Sequence, residues 1–167
     1  MSIRSLLRFA VRKVADMAAA GTLDELPEWV CELLEEARVA HLGLLDHHGR
    51  PRVLPVTFAM VEGSLWSAVD HKKKGRPGNE LARVRWVRGR PIGSITVDRY
   101  DDDWEGLAWV QLLGAIAVIE RTGHDDSVIA ALMARYPQYR ERPPGGPLLR
   151  LTPERSVWWR SAGDGAA

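Results

Sequence analysis

The sequence predicts a mainly β domain, a small antiparallel barrel of about six strands with peripheral helices. Three observations support this prediction. Short apolar segments rich in Val, Ile, Thr and aromatic residues are separated by tight turns rather than by helical crossovers, as is typical of antiparallel strands. The 167 residues fit one domain. The hydrophobic fraction of 46% is enough for a packed core.

The overall composition excludes several functional classes. A formal net charge of +1 gives no global field that would attract nucleic acid or anionic lipid. Cys31 is the only cysteine, which excludes an internal disulfide and a thiolate metal cluster within one chain and suits a reducing compartment. No apolar run approaches the roughly 18–20 residues that a membrane span requires. We therefore expect a cytoplasmic protein with no nucleic-acid partner and no membrane span.

Residues 1–24 are predicted to form a helical extension before the barrel. Over Met1–Ala20, apolar side chains recur on one helical face, while Arg8, Arg12 and Lys13 interrupt the apolar core that a signal peptide would need. The residues of this face are Leu6, Leu7, Ala10, Val14 and Met17. We expect the helix to pack on its own domain or on a partner subunit, with binding to a membrane surface as the alternative.

The barrel domain is predicted over residues 25–162 and begins with a helix and a strand. The helix runs from Glu28 to Arg38 and carries one apolar stripe. The segment Val39–Leu45 is short, apolar and strand-like. The turn that follows, Asp46–Gly49, ends in the glycine that a hairpin favours.

Two further strands are predicted directly after this turn. The first, Pro51–Val61, is rich in Val, Thr and Phe, and the turn Glu62–Ser64 joins it to the second, Leu65–Val69. Three strands joined by tight turns predict an antiparallel meander rather than a βαβ unit.

A basic loop and a helix interrupt the strands. The loop is Asp70–Gly78, and it leads into a helix over Glu80–Arg88 that Asn79 is expected to cap. A fourth strand is predicted over Ile92–Tyr100, followed by the acidic turn Asp101–Gly106.

A long fifth strand is predicted over Leu107–Glu120. Its apolar residues are nearly continuous, which predicts burial on both faces. Gly114 within it indicates a bulge or a close approach of another backbone.

The last third of the chain is predicted to hold one helix and the closing strands. The helix starts at Asp125 or Asp126 and ends near Tyr136, and a loop covers Pro137–Pro147. Leu148–Leu151 and Ser156–Arg160 are interpreted as a strand pair or as one bent strand. Residues 163–167 are expected to form a tail outside the domain.

The basic loop is the segment that says most about function. Lys72, Lys73, Lys74 and Arg76 follow a strand and precede a helix N-terminus, which offers free backbone N–H groups and partial positive charge. Because alternate residues of an extended loop point the same way, Lys72 and Lys74 could converge on one phosphate. A solvated loop and a nucleic-acid contact are alternative interpretations of the same charges.

Several established motifs are absent from the sequence. It has no P-loop, no dinucleotide-binding glycine fingerprint, no nucleophile elbow and no zinc-binding His-Glu-x-x-His helix. His41, His47 and His48 lie close together, but two of them fall in a turn. Asp101–Asp103 lacks the alternating ligands of a calcium loop. We therefore predict no metal site, and no catalytic residue can be named.

Four segments and their order carry a resemblance to a known family. They are Arg38–Leu45, Gly49–Phe58, Leu65–Lys74 and, after a basic helix, Val97–Trp104. This series resembles the pyridoxamine 5′-phosphate oxidase-like superfamily over about residues 28–160. It is most similar to the branch that uses the deazaflavin coenzyme F420 in place of FMN. Gly75–Gly78 departs from the pattern, because the family commonly continues there with Thr, Arg and Leu.

The resemblance implies a split β-barrel homodimer with two cofactor sites at the subunit interface. The residues at matching positions are Lys72 and Lys74 for the cofactor phosphate, Arg52, Pro55, Val56 and Thr57 for the ring system, and Trp104 near the cofactor cleft. The ring contacts are expected to be made partly by backbone groups.

The implied activity is transfer of a hydride from reduced coenzyme F420 to a small organic acceptor. The cofactor supplies the chemistry and the protein positions it, which agrees with the absence of a catalytic signature. A solvent proton, or Tyr100 as donor, would complete the reaction.

Two alternatives stay open at this point. An FMN-binding oxidase or reductase of the same fold would present a phosphate to the same lysines. A non-enzymatic cofactor-storage or heme-binding barrel is the other alternative, with His71 or His41 as a candidate axial ligand.

Overall fold

The computed structural model describes residues 18–20, 23–69, 81–121 and 126–161. The elements of these segments are β1 (Ala18–Ala20), α1 (Glu28–Glu36), β2 (Ala40–Leu45), β3 (Pro51–Val56), β4 (Ala59–Val61), β5 (Ser64–Ala68), α2 (Ala82–Gly89), β6 (Ile92–Arg99), β7 (Ala108–Ile119), α3 (Asp126–Arg135), α4 (Pro137–Glu141) and β8 (Leu148–Arg160). Short 3-10 turns lie at Leu23–Glu25 and Trp104–Gly106.

The eight strands described form one antiparallel sheet. Their order is β3-β2-β6-β7-β8-β5-β4, and β1 pairs with β8. Four pairs of strands adjacent in sequence are also neighbours in the sheet, namely β2–β3, β4–β5, β6–β7 and β7–β8, and the helices lie at the periphery. The predicted mainly β architecture with peripheral helices is therefore confirmed.

The β2–β3 hairpin forms at the predicted turn. Gly49 has a φ of +77°, a conformation that favours glycine. The Asp46 carboxylate accepts hydrogen bonds from the backbone N–H of Arg50 at 3.0 Å and of His48 at 2.9 Å. The bond from Arg50 is the main cause that lowers the pKa of Asp46, because it stabilises the charged form. Asp46, the first residue of the turn, therefore stabilises it.

The predicted single strand Pro51–Val61 is wrong. The chain breaks it at Thr57–Phe58, so that β3 pairs with β2 while β4 pairs with β5. These pairs lie at opposite ends of the sheet, and the predicted three-strand meander does not form. The physical reason is burial at the break, where the Phe58 side chain is fully buried and its backbone N–H donates to the hydroxyl of Tyr136, the residue between α3 and α4.

Strand β7 matches the predicted position but not the predicted burial. Ala108, Val110, Leu112 and Ile116 are buried, whereas the alternate residues are half-buried or exposed. One face of β7 packs on the core, and the other face is only partly buried among the described residues. The predicted close approach at Gly114 is confirmed, because the β7–β8 register shifts there and a Cβ would lie 2.9 Å from the backbone nitrogen of Glu154.

Two further expectations are corrected. The N-terminal helix does not reach Ala20, because β1 pairs residue by residue with Ser156–Trp158 of β8. The segment Pro137–Pro147 is not all loop, since α4 occupies its start with proline at the first turn. Of the two forms predicted for the closing segment, the structure shows the single strand, the 13-residue β8. Residues 1–17, 79 and 125, named in the helix predictions, lie outside the described residues.

The core covers one face of the sheet, which we call the inner face. Alternate residues of β2, namely Ala40, Leu42 and Leu44, are buried there. The apolar stripe of α1 packs on this face through Val30, Leu33 and Leu34. The opposite, outer face carries the residues between them, including His41, Gly43 and Leu45. On β2, the outer face therefore carries the residues that the core of the described segments does not bury.

Candidate functional site

The predicted phosphate-binding residues Lys72 and Lys74 lie outside the described residues. The chain is described up to Val69 and again from Leu81. The last described residue before the basic loop, Val69, is held by two backbone hydrogen bonds. It donates its N–H to the Pro147 carbonyl at 3.1 Å, and its carbonyl accepts from the Gly146 N–H at 3.2 Å. The role of the two lysines stays a prediction.

The predicted ring-lining residues lie on β3, which is an edge strand of the sheet. Val56 is 6% exposed, so its side chain belongs to the core and only its backbone is available to a ligand. Pro55 is exposed and pairs across the sheet with His41, on the outer face. An edge strand presents backbone N–H and C=O groups that no neighbouring strand uses. Contact with a cofactor would thus come from the β3 backbone and from Pro55.

Thr57 is held by a helix side chain at the end of β3. Its Oγ1 lies 2.8 Å from the hydroxyl of Tyr139 on α4. The next residue, Phe58, donates its backbone N–H to the Tyr136 hydroxyl at 2.9 Å. That hydroxyl also lies 3.0 Å from the Phe58 carbonyl and 3.1 Å from the Arg38 carbonyl. Two tyrosines therefore fix the break that ends the candidate ligand-binding strand.

The variant Tyr136→Phe is expected to lower the free energy of unfolding by about 1–3 kcal/mol. It removes the hydroxyl that satisfies the buried N–H of Phe58 and leaves that donor without an acceptor. Denaturant unfolding followed by tryptophan fluorescence measures the change. The matched control is Tyr100→Phe, because Tyr100 is 73% exposed and its hydroxyl is expected to contribute little. Equal stability of the two variants would contradict this role of Tyr136.

Arg52 contacts an aromatic ring on the inner side of the sheet, and its charge also helps to lower the pKa of the nearby Asp46 carboxyl. Its guanidinium lies 5.1 Å from the ring centroid of Trp86 on α2, within the range of a cation–π contact. Its side chain is still exposed. Arg52 therefore joins the start of β3 to α2, the helix that follows the basic loop.

Trp104 lies apart from β3 along the chain and in the sheet. It begins the 3-10 turn between β6 and β7 and is 71% exposed. Asp103 caps this turn by accepting the Glu105 N–H at 3.1 Å. Strand β2 separates β3 from β6, so the structure does not bring Trp104 next to the β3 residues within one described chain.

A cleft of about 460 Å³ opens at the β2–β3 end of the sheet. Its lining includes Arg52 and Val53 of β3, Ser94 of β6 and the glycines Gly43 and Gly114. A Cβ at Gly43 would lie 2.5 Å from Ser94 Oγ, so there is no room for a side chain at this position in the wall of the cleft. The cleft has the size of a small-molecule pocket and includes one of the predicted ring-lining residues, Arg52.

The structure brings together a histidine and an aspartate that sequence analysis did not pair. His41 Nδ1 on β2 lies 3.5 Å from Asp98 Oδ1 on β6, with both side chains about half exposed. Asp98 pairs across the sheet with Trp109 of β7. The two residues are far apart in the sequence, so nothing local indicated that they meet. The only available signal was the alternation of side chains along β2 and β6, which places both residues on the same face of the sheet.

Neither a metal cluster nor a spanning helix is found in the part of the chain that the structure describes. No group of three His, Cys, Asp or Glu side chains there could hold a metal ion. No helix there is both long enough and apolar enough to cross a membrane.

Comparison with known families gives one match. The model of the pyridoxamine 5′-phosphate oxidase family matches residues 27–158. This range includes β2 to β7 and nearly all of β8, together with the basic loop.

Solved structures share the fold at low sequence identity. A conserved hypothetical protein of Mycobacterium tuberculosis aligns over 88% of this chain and 98% of its own, with 16% identity and a TM-score of 0.67. An FAD-binding protein of Mesorhizobium loti aligns over 88% and 99%, with 20% identity and a TM-score of 0.60. The heme storage protein HutZ of Vibrio cholerae aligns over 83% and 96%, with 19% identity and a TM-score of 0.65. These likenesses confirm the predicted split-barrel fold.

One curated sequence also matches. Potassium transporter 22 of Oryza sativa subsp. japonica is 26% identical over 137 residues, which is 76% of this chain. The chain spans only 17% of the length of that relative.

Proposed function

This chain belongs to the pyridoxamine 5′-phosphate oxidase family, and we propose that it is a coenzyme F420-dependent oxidoreductase that reduces a small organic acceptor. The observation that carries the proposal is the edge strand β3, which exposes Pro55 and lines an apolar cleft through Pro51, Arg52 and Val53. FMN as the cofactor is the first alternative.

The donor set of β3 fits a flavin or deazaflavin ring. The pyrimidine edge of either ring offers one N–H donor and two carbonyl acceptors, which an edge strand can satisfy with its own backbone groups. Because Val56 is buried and Thr57 is bonded to Tyr139, these contacts would come from their backbone. The hydrogen bond between Thr57 and Tyr139 would hold this end of β3 in position for the ring.

The remaining proposed roles are those that the resemblance implies. Lys72 and Lys74 would bind the cofactor phosphate, Arg52 would border the ring system through its contact with Trp86, and Trp104 would border the cofactor cleft. When bound, the reduced cofactor supplies a hydride. The chain itself would supply orientation, exclusion of water from the cleft and, where needed, a proton.

Titration with each cofactor tests the proposal. The full chain is mixed with coenzyme F420 or with FMN, and quenching of tryptophan fluorescence reports binding, since the chain has seven tryptophans. Micromolar binding of coenzyme F420 with much weaker binding of FMN is expected. Binding of FMN alone would replace the proposed cofactor by the alternative.

A non-enzymatic heme-binding barrel is the second alternative. It has one specific basis, the likeness to a heme storage protein. His41 is half exposed and could offer Nε2 to iron while Nδ1 faces Asp98, whereas the other candidate ligand, His71, lies outside the described residues. A Soret band that appears on heme addition and is lost in His41→Ala or His71→Ala would support this alternative.

We further propose that the chain acts as a homodimer joined through the outer face of the sheet. This face carries Val53 at 66% exposure and Ile92 at 57% exposure, together with the half-buried Trp109 and Trp159. Exposed large apolar side chains clustered on one face are typical of an interface. A second copy would cover them and would bring its own residues to the cofactor cleft.

The variant Val53→Glu is expected to shift the chain from dimer to monomer at micromolar concentration, because it places an unpaired charge in the proposed interface. Sedimentation velocity measures the state. The control is Ala130→Glu on the exposed side of α3, away from the outer face. A wild-type monomer, or a Val53→Glu variant that sediments like the wild type, would contradict this arrangement.

A further inference from the structure

The His41–Asp98 pair lies where a proton would be needed. His41 is the cross-strand neighbour of Pro55 and of Thr96, so its imidazole shares the outer face with the β3 residue that is proposed to contact the cofactor ring. Directly opposed residues have Cβ atoms about 4.5–5.5 Å apart. The imidazole is therefore within one side-chain length of the proposed ring position.

Asp98 is the ionisable group that faces His41. Its carboxylate lies 3.5 Å from Nδ1, while Pro55 and Thr96, the other neighbours on this face, carry no charge. Gln111 of β7 donates from Nε2 to Thr96 Oγ1 at 3.2 Å, so the adjacent amide is already engaged. A carboxylate at Nδ1 fixes the orientation of a histidine and stabilises the imidazolium that forms during proton transfer. Nε2 is left to act on a ligand.

We propose that His41 donates the proton that completes reduction of the acceptor, with Asp98 as the residue that orients its imidazole; this rests on the proposed oxidoreductase function. In reduction of an activated C=C bond, one carbon receives the hydride with its electron pair from the reduced cofactor. The other carbon receives a proton from Nε2 of the imidazolium. The neutral imidazole then regains a proton from water, so that the acceptor gains two hydrogens in total.

Tyr100 is a less suitable donor than His41. Its side chain is 73% exposed and lies beyond the end of β6. No hydrogen bond to the Tyr100 hydroxyl is found within the described residues, whereas His41 has an ion-pair partner on the adjacent strand.

Two acceptors separate proton donation from hydride transfer. Reduction of 2-cyclohexen-1-one needs a proton on carbon, whereas the dye 2,6-dichlorophenolindophenol is reduced at heteroatoms that water protonates rapidly. The variant His41→Gln is expected to lower kcat for the alkene by about 10²–10⁴-fold. The same variant should keep the dye activity and the cofactor affinity within about twofold of the wild type. Asp98→Asn should show a smaller loss with the same selectivity, because it acts through His41.

His47→Gln is the matched control, since His47 is exposed in the β2–β3 turn, where its ring contacts that of His48. It should leave both activities unchanged. A second readout needs no cofactor: the ¹⁵N signal of His41 Nδ1 should report a proton held towards Asp98 in the wild type, and this signal should change in Asp98→Asn but not in His47→Gln.

The outcomes are distinguishable. Equal alkene activity in His41→Gln and His47→Gln, or an equal loss of activity with both acceptors in His41→Gln, would each overturn the role of His41. A chain that binds neither coenzyme F420 nor FMN would overturn the proposed function, and with it the role of His41.

Discussion

The double variant Lys72→Ala/Lys74→Ala is expected to weaken cofactor binding by about 10²-fold or more. Each lysine is predicted to form a charge-assisted hydrogen bond with the cofactor phosphate, and such a bond contributes roughly 1.5–3 kcal/mol. Loss of both should raise Kd in the fluorescence titration without changing the free energy of unfolding, because other segments supply the buried core of the described residues.

The chain offers a matched control for charge. Lys73→Ala/Arg76→Ala removes the same two charges from the same loop, but these residues are predicted to be solvated neighbours. It should change Kd by no more than the general electrostatic effect of two screened charges, a few-fold at physiological salt. If both double variants weaken binding equally, the loop acts as a diffuse basic surface and the assignment to Lys72 and Lys74 is wrong.

The variant Gly114→Ala is expected to destabilise the fold by about 3 kcal/mol. A Cβ at this position would lie 2.9 Å from the Glu154 nitrogen and still closer to the Thr152 carbonyl oxygen. Both atoms belong to the β8 backbone, which cannot rotate away as a flexible side chain can, so the two central strands must separate. For a domain of this size the change corresponds to a fall in Tm of roughly 6–12 °C.

Gly89→Ala is the control for this substitution. Gly89 ends α2, and a Cβ there meets nothing within 4 Å. Alanine should be neutral or stabilising by up to about 1 kcal/mol, because it favours the helical conformation. Thermal unfolding of both variants measures the difference, and a Gly114→Ala variant as stable as Gly89→Ala would show that the β7–β8 bulge is able to relax.

The local elements of this fold were predictable because local rules determine them. Hydrophobic alternation and turn chemistry predicted β2, β5, β6 and β7 to within one or two residues. Gly114 predicted a close approach because glycine inside a strand has few other causes. The family could also be identified from ordered segments, since the residues that bind a shared cofactor recur at fixed places along a chain.

Two of the errors concern pairing between distant segments. Pro51–Val61 is continuous in β propensity, so nothing local indicated that Tyr136, some 78 residues away, would fix a break at Phe58. The same holds for β1, whose three alanines have no strand signal and are ordered by pairing with β8. A packed tertiary contact outweighs a propensity difference of a few tenths of a kcal/mol per residue.

The sequence by itself determined the mainly β class, most strand positions, the family resemblance and the candidate residues Lys72, Lys74, Arg52 and Pro55. Only the tertiary structure decided which residues meet. It buried the side chain of Val56, bonded Thr57 to Tyr139 and placed His41 beside Asp98 across two strands. The physical reason is that composition and periodicity act over a few neighbouring residues, whereas strand order and register bring together side chains that are 50 to 80 residues apart.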